Sequence, residues 1–141
     1  MAKTFQVFIV TPENIAYEER AVSIILPGIE GYLGAWANHA PLVTGVRPGV
    51  VWMKINDAGD ERYFAVGKGF CEISDNSVNL MVDHATAATD IDLTAARSEL
   101  NAARTALRNL GPDGDPDAAR LAIERAESRV SAAERQQPQR R

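Results

Sequence analysis

His39 and His84 are the only imidazoles in this 141-residue chain, so they bound the metal and acid–base chemistry it can perform. A zinc site needs three or four ligands, usually with two of them closely spaced. The two histidines stand 45 residues apart, with Asp83 beside the second, and neither H-x-H nor H-E-x-x-H occurs. As a general base, His39 would need a nucleophile and an orienting acid, and only Thr44 offers a hydroxyl nearby in sequence. No catalytic residue and no metal ligand is therefore assigned. His39 instead hydrogen-bonds backbone in a tight loop or contacts a partner. The rival readings are a small β-barrel metalloenzyme using His39 and His84, which predicts bound metal, and a free-standing β-sandwich interaction module.

Three other groups invite chemistry. Cys71 is alone, so no intrachain disulfide forms, which suits a reducing compartment and a buried, inert thiol. Gly28 to Gly34 read G-x-x-G-x-x-G, but neither phosphate-binding fingerprint is present and no helix pattern follows, so a β-turn loop is expected. Arg125 and Arg129 stack at i and i+4 with no acid three or four residues away. They form a solvated face, or they meet an acidic partner or a phosphate. Arg120, by contrast, has Glu124 at i+4 for an ion pair.

The elements that must position these groups fall into two grammars. Up to about Ala85 the chain reads as short strands between turns. Phe5, Val7 and Ile9 alternate with Gln6, and Val22, Ile24 and Leu26 alternate with Ala21 and Ser23; further strands are expected at 50–55, 62–66, 69–73 and 77–82. Asn56 to Gly59, Gly67 to Gly69 and Asp75-Asn76 supply residues that tolerate the turns between them. In the loop around His39, Asn38 suits the left-handed region and Pro41 fixes its predecessor as extended. Tyr32 and Trp36 flank that loop as binding anchors or core residues.

After ATAATD, Ala85 to Asp90, alanine becomes dense and apolar residues recur at helical spacing: Ala96, Leu100, Ala103 and Leu107, then Ile123, Ala126, Val130 and Ala133. Asp90 or Asp92 caps the first helix and Gly111-Pro112 ends it. Asp115-Pro116 starts the second. The fold class is α+β in two parts: an antiparallel β-sandwich over 1–86, then an antiparallel helical hairpin over 87–141 with a basic tail. Because alanine buries little area, the hairpin is expected to attach weakly and to be able to detach.

A net charge of −4 argues against a nucleic-acid partner. The N-terminal run is broken by Gln6 and Pro12, which does not fit a signal peptide, and no apolar run approaches the roughly 20 residues of a membrane helix. Membrane association is expected only through a partner.

With E-G-Y-L-G at Glu30 to Gly34, N-H-A-P-L at Asn38 to Leu42, R-P-G at Arg47 to Gly49 and V-G-K-G-F-C-E-I at Val66 to Ile73, the sequence resembles the epsilon subunit of the rotary ATP synthase over essentially its whole length. The resemblance implies a non-enzymatic rotor subunit that couples the gamma shaft to the ring of c subunits at the cytoplasmic face of an energy-transducing membrane, the bacterial plasma membrane. Asn38, His39, Ala40, Pro41 and Leu42 would then lie near gamma, and Gly28, Glu30, Gly31, Tyr32 and Leu33 would face the c-ring. The hairpin in this family lies on the sandwich or extends into the catalytic head and restrains hydrolysis. In the extended state Arg120, Arg125, Arg129 and Arg135 would pair with acidic groups of the alpha/beta subunits. Members that sense ATP resemble one another in aliphatic-Asp-x-x-Arg-Ala. Here Asp92, Arg125 and Arg129 match, but Ala95 replaces the arginine. Losing one charge-assisted contact of roughly 1.5–3 kcal/mol implies weak or absent ATP binding.

Overall fold

The computed structural model describes residues 2–136, so Arg140 and Arg141 of the basic tail lie outside the described residues. Ten strands come first: β1 (Phe5–Val10), β2 (Ile15–Ala21), β3 (Ser23–Gly28), β4 (Gly31–Trp36), β5 (Leu42–Val46), β6 (Gly49–Lys54), β7 (Glu61–Val66), β8 (Gly69–Ser74), β9 (Ser77–Val82) and β10 (Ala85–Ala87). A 3-10 turn at Ala88–Asp90 leads to helices α1 (Leu93–Arg108) and α2 (Pro116–Gln136).

Strand order is β10-β7-β6-β3-β5-β8-β9-β1-β2, with β4 on β3. The sheet folds over at β3, whose Ser23–Ile25 pair with β6 while Gly28 alone pairs with Val46 of β5. Two layers result. Ile24, Leu26, Met53 and Phe64 of one close a common core with Phe5, Val7, Ile9, Cys71 and Leu80 of the other. The period-2 pleat of β1 turns alternate residues inward: Phe5, Val7 and Ile9 are buried, and Gln6, Phe8 and Val10 are half-buried. One pair departs from the expected antiparallel arrangement, since β1 runs parallel to β9. No hairpin links strands so far apart in sequence, so no local turn constrains their direction.

Turn chemistry behaves as its residues dictate. Asp75 and Asn76 both have positive φ, 50° and 58°, the primed turn that matches the twist of β8 and β9. Asn56 accepts from the Ala58 N–H at 2.9 Å, and Gly59 follows at φ 98°. The stretch from Gly28 to Gly34, expected as a loop, is instead a β-hairpin. Gly28 pairs with Gly31 across a turn of Ile29 and Glu30, and the remaining residues are strand. Likewise only residues 37–41 of the His39 segment are irregular, because Leu42–Val46 pair with β8.

In the helical part, Asp92 rather than Asp90 is the cap, accepting from the Ala95 N–H at 3.2 Å. Asp115 caps α2 through the N–H groups of Asp117 and Ala118, with Pro116 at the first helical position. Gly111 is not left-handed. Asn109 closes α1 at φ −95° and ψ 14°, and residues 109–115 give enough chain to reverse without a left-handed residue. The segment Ala85 to Asp90, where the two grammars meet, is half strand and half 3-10 turn, with Ala88 buried.

α2 lies across the outer face of β6 and β7. A second apolar cluster joins Val50 and Ala65 of the sheet to Ala88, Ile91, Ala96, Ala132 and Ala133, with Tyr63, Leu93 and Val130 at its edge. β6 is thus covered on both faces, which explains its unbroken apolar run. Of the expected hairpin stripe, Ala96, Leu100, Ala126 and Ala133 are buried, whereas Ala103, Leu107, Ile123 and Val130 are only half-buried.

Two glycines and one cysteine give direct tests. A Cβ on Gly69 would stand 1.9 Å from the Met81 carbonyl oxygen, whereas one on Gly111 would meet nothing within 4 Å. Urea denaturation should show Gly69→Ala destabilised by about 2 kcal/mol or more and Gly111→Ala changed by less than about 0.5 kcal/mol. Burial, and secondarily the charge of Glu72, pushes the Cys71 thiol up to about 12. It should therefore resist thiol reagents at neutral pH until the sandwich is unfolded.

Candidate functional site

Two surfaces carry the candidate residues: the exposed end of the sandwich around the β3–β4 turn and the residue 37–42 segment, and the seam where α2 meets the sheet. At the first, space is made by glycine. A Cβ on Gly49 would fall 2.8 Å from the Tyr32 hydroxyl and 2.7 Å from Pro27, so only glycine lets that hydroxyl accept from the Val50 N–H at 3.1 Å. Tyr32 is therefore tethered while most of its ring faces solvent. Gly28 is buried beneath Gly31 and Leu33, Leu33 is half-buried, and Glu30 and Gly31 are exposed at the turn.

The segment after β4 is held by a chain of amide contacts. Asn38 adopts φ 63°, and its N–H donates to Asn76 Oδ1 at 2.8 Å; the Asn76 amide in turn donates to the Thr4 carbonyl at 3.0 Å. His39 donates from Nδ1 to the Ala40 carbonyl at 2.6 Å, the backbone role open to it. Ala40, Pro41 and Leu42 are exposed beside it. The apolar surface extends beyond the residues singled out in the sequence. Ile29 (60% exposed), Val43 (69%) and Phe70 (49%) join Tyr32, Trp36 and Leu42. Cys71 and Ile73 point inward, so Phe70, and with it Val43 of the paired strand, points out. That alternation was the signal available for them.

The histidines do not meet. Asn38 contacts the turn before β9, whereas His84 follows its end, a separation of about 20 Å for six strand residues. A shared His39–His84 metal centre is thereby ruled out geometrically.

At the seam, polar contacts flank the alanines. Arg47 pairs with Glu124 at 3.1 Å, and Arg125 with Asp83 at 2.7 Å. The other carboxylate oxygen of Asp83 is buried without a hydrogen bond and lies 2.8 Å from His84 Nδ1. Arg129 lies 3.3 Å from Glu99 of α1 and 3.4 Å from the Thr86 hydroxyl. The acid that each arginine lacks on its own helix thus comes from elsewhere in the chain. The expected Arg120–Glu124 pair does not form. Glu124 is taken by Arg47, and Arg120 turns to Asp117 at 3.2 Å. Arg97–Glu134 and Arg104–Glu127 tie α1 to α2. Near the end of α2, burial first, and then the bond it donates to Glu61 at 2.6 Å, push the Tyr63 hydroxyl up to about 12, against the charge of Arg135. Asp92 caps its own helix seven residues, about 10 Å of axis, before the Glu99 that Arg129 reaches. It does not join the two arginines.

This geometry can be set beside known proteins. A sequence model described as the ATP synthase delta/epsilon chain β-sandwich domain matches residues 4–88, which span β1 to the start of the 3-10 turn. The chain belongs to the ATP synthase delta/epsilon family. Relatives extend the likeness through the helices. The ATP synthase epsilon chain of Moorella thermoacetica is 38% identical over 89% of this chain and 92% of its own length. That of Desulforamulus reducens is 34% identical over 95% of this chain and 100% of its own. Among solved structures, a chain of the Euglena gracilis mitochondrial ATP synthase matches at a TM-score of 0.78 and 20% identity, covering 92% of this chain and 81% of that one. A chain of the Tetrahymena thermophila central stalk and c-ring matches at 0.54 and 15%, covering 95% and 96%. At these identities the solved structures attest a shared fold alone. No helix among the described residues is long and apolar enough to cross a membrane.

The Asp83–Arg125 pair is about one-third exposed, so screening limits its contribution to about 1 kcal/mol. Arg125→Ala should lower hydrogen-exchange protection of α2 amides about fivefold, leaving those of β1, β8 and β9 unchanged.

Proposed function

We propose that the chain is a non-catalytic rotor subunit of a proton-driven ATP synthase, joining the gamma shaft to the c-ring at the cytoplasmic face of the membrane. The observation that carries this reading is the collinear likeness to epsilon chains through both sandwich and hairpin, at 34% identity over 95% of this chain. Torque transmission calls for a stiff contact surface, and the tethers of Tyr32 and Asn38 supply stiffness at the end of the sandwich. On this reading Asn38 to Leu42 contact gamma. Glu30, Gly31 and Tyr32 face the c-ring, with Gly28 and Leu33 holding the hairpin that presents them and Ile29 at its tip.

The hairpin is the regulatory part. When docked, Arg125 and Arg129 are held by Asp83 and Glu99; when extended toward alpha/beta, they and Arg120 and Arg135 become free to meet acidic groups there and restrain hydrolysis. ATP is bound weakly or not at all by the docked hairpin, since Asp92 stands apart from the arginine pair and Ala95 contributes no cation.

Deleting residues 91–141 should leave proton-coupled synthesis largely intact and raise ATP hydrolysis by the reconstituted complex. Unchanged hydrolysis would remove the inhibitory role while leaving the rotor role standing. His39→Ala, which removes the ring that braces the Ala40 carbonyl, should weaken the affinity of the isolated subunit for gamma roughly tenfold without unfolding the sandwich.

A further inference from the structure

The seam contains a titratable group that neither torque transmission nor inhibition requires. His84 follows β9 and, with Glu99, Arg125 and Arg129, lines an open cleft of ≈ 550 Å³ between the sandwich and the two helices. Its Nδ1 lies 2.8 Å from Asp83 Oδ1, a buried oxygen that accepts no hydrogen bond, while Arg125 donates to Oδ2 of the same carboxylate at 2.7 Å. A methyl group on Gly67 would lie 1.8 Å from Asp83 Oδ1 and 2.5 Å from His84 Cε1, so glycine is what allows the pair to sit there.

We propose that His84 makes docking of the helical hairpin pH-sensitive, with acid releasing it. The charged groups facing the imidazole are Asp83 beside it, Lys68 on the β7–β8 turn whose carbonyl accepts from the Asp83 N–H, Glu99 of α1, and Arg125 and Arg129 of α2. With a neutral imidazole, two carboxylates meet two guanidiniums and the cleft is balanced; Lys68, exposed, extends into water. Histidine ordinarily changes charge between about pH 5 and 8. Protonation would put a third cation against Arg125 and Arg129, and it would make the imidazolium and Arg125 share one carboxylate. Both Asp83 and His84 belong to the sandwich. When the hairpin leaves, the imidazolium keeps Asp83 to itself and no longer faces the two arginines. The proton therefore favours the released state, and by reciprocity docking is strongest above the range in which histidine charges and is lost as pH falls through it. The device is internal to the chain and holds whatever the chain assembles with.

The test uses the full chain with spin labels on Asp57→Cys and Ala118→Cys, one on the β6–β7 turn and one on α2, both exposed, while Cys71 is buried and stays unlabelled. Distance distributions are measured at about pH 8 and about pH 5.5. The population at distances longer than the docked one should rise roughly fivefold or more on acidification, and in His84→Asn and His84→Gln it should stay flat. Cys71 remaining unreactive in each variant reports that the sandwich is folded, and either variant alone suffices. An unchanged or reduced long-distance population at low pH in the parent chain overturns the proposal. So does an equal rise in both variants, which would assign the release to carboxylate protonation at Asp83, Glu99 or Glu124.

Discussion

The contact between α2 and the β6–β7 face is built from small side chains, and the behaviour of the whole chain follows from that. Ala132 and Ala133 lie against Val50 and Ala65, with Ile91 as the largest buried member of the cluster. Alanine lets helix and sheet approach closely, but at roughly 0.8 kcal/mol per buried carbon it contributes little adhesion. It also provides no ridge deep enough to fix where the helix sits. Position is set by charge. Glu124 and Arg125 are adjacent, hence about 100° apart around the helix, and they reach Arg47 and Asp83 respectively. Two ion pairs straddling the helix hold it laterally, and their half-exposed side chains can return to water at modest cost.

The short motifs carry a common physical meaning. In R-P-G, Gly49 leaves room for the Tyr32 hydroxyl and Pro27, while Arg47 reaches α2. In V-G-K-G-F, Gly67 leaves room for Asp83 and His84, and Gly69 for the backbone of β9. Each motif thus fixes a close approach within the sandwich and also shapes a surface that the rest of the chain uses.

What the sequence made legible was local. Alternation placed Phe5, Val7 and Ile9 in the core, Asp115-Pro116 opened α2, and Asn38 took the left-handed position its side chain tolerates. The hidden features were non-local, or lay where local signals conflict. β4 and β5 escaped notice because Gly34 and Gly45 weaken strand propensity and because both strands expose apolar residues. Helical spacing favoured Arg120 as the partner of Glu124, yet Arg47, 77 residues away, takes it once α2 lies on the sheet. Asp83 could not be matched to Arg125 before the fold brought them together across 42 residues. The same non-locality separated Asp92 from Arg125 and Arg129, which a motif reading had grouped.

The sandwich end and the seam of α2 rest on different interactions. The end of the sandwich is held by backbone pairing over a fully buried core and by tethers such as Tyr32 to Val50 and Asn38 to Asn76. The seam is held by charges already partly hydrated, over alanines whose exposure costs little. Withdrawing α2 uncovers Val50, Ala65 and the side of Tyr63, a patch small enough for water to tolerate, while Phe5, Met53 and Leu80 stay sealed between the two layers. A larger apolar seam would have fused the hairpin to the sandwich, and a wholly polar one would have left it undocked. The alanine-and-ion-pair composition lies between these limits, the range in which a small free-energy difference makes an element switchable.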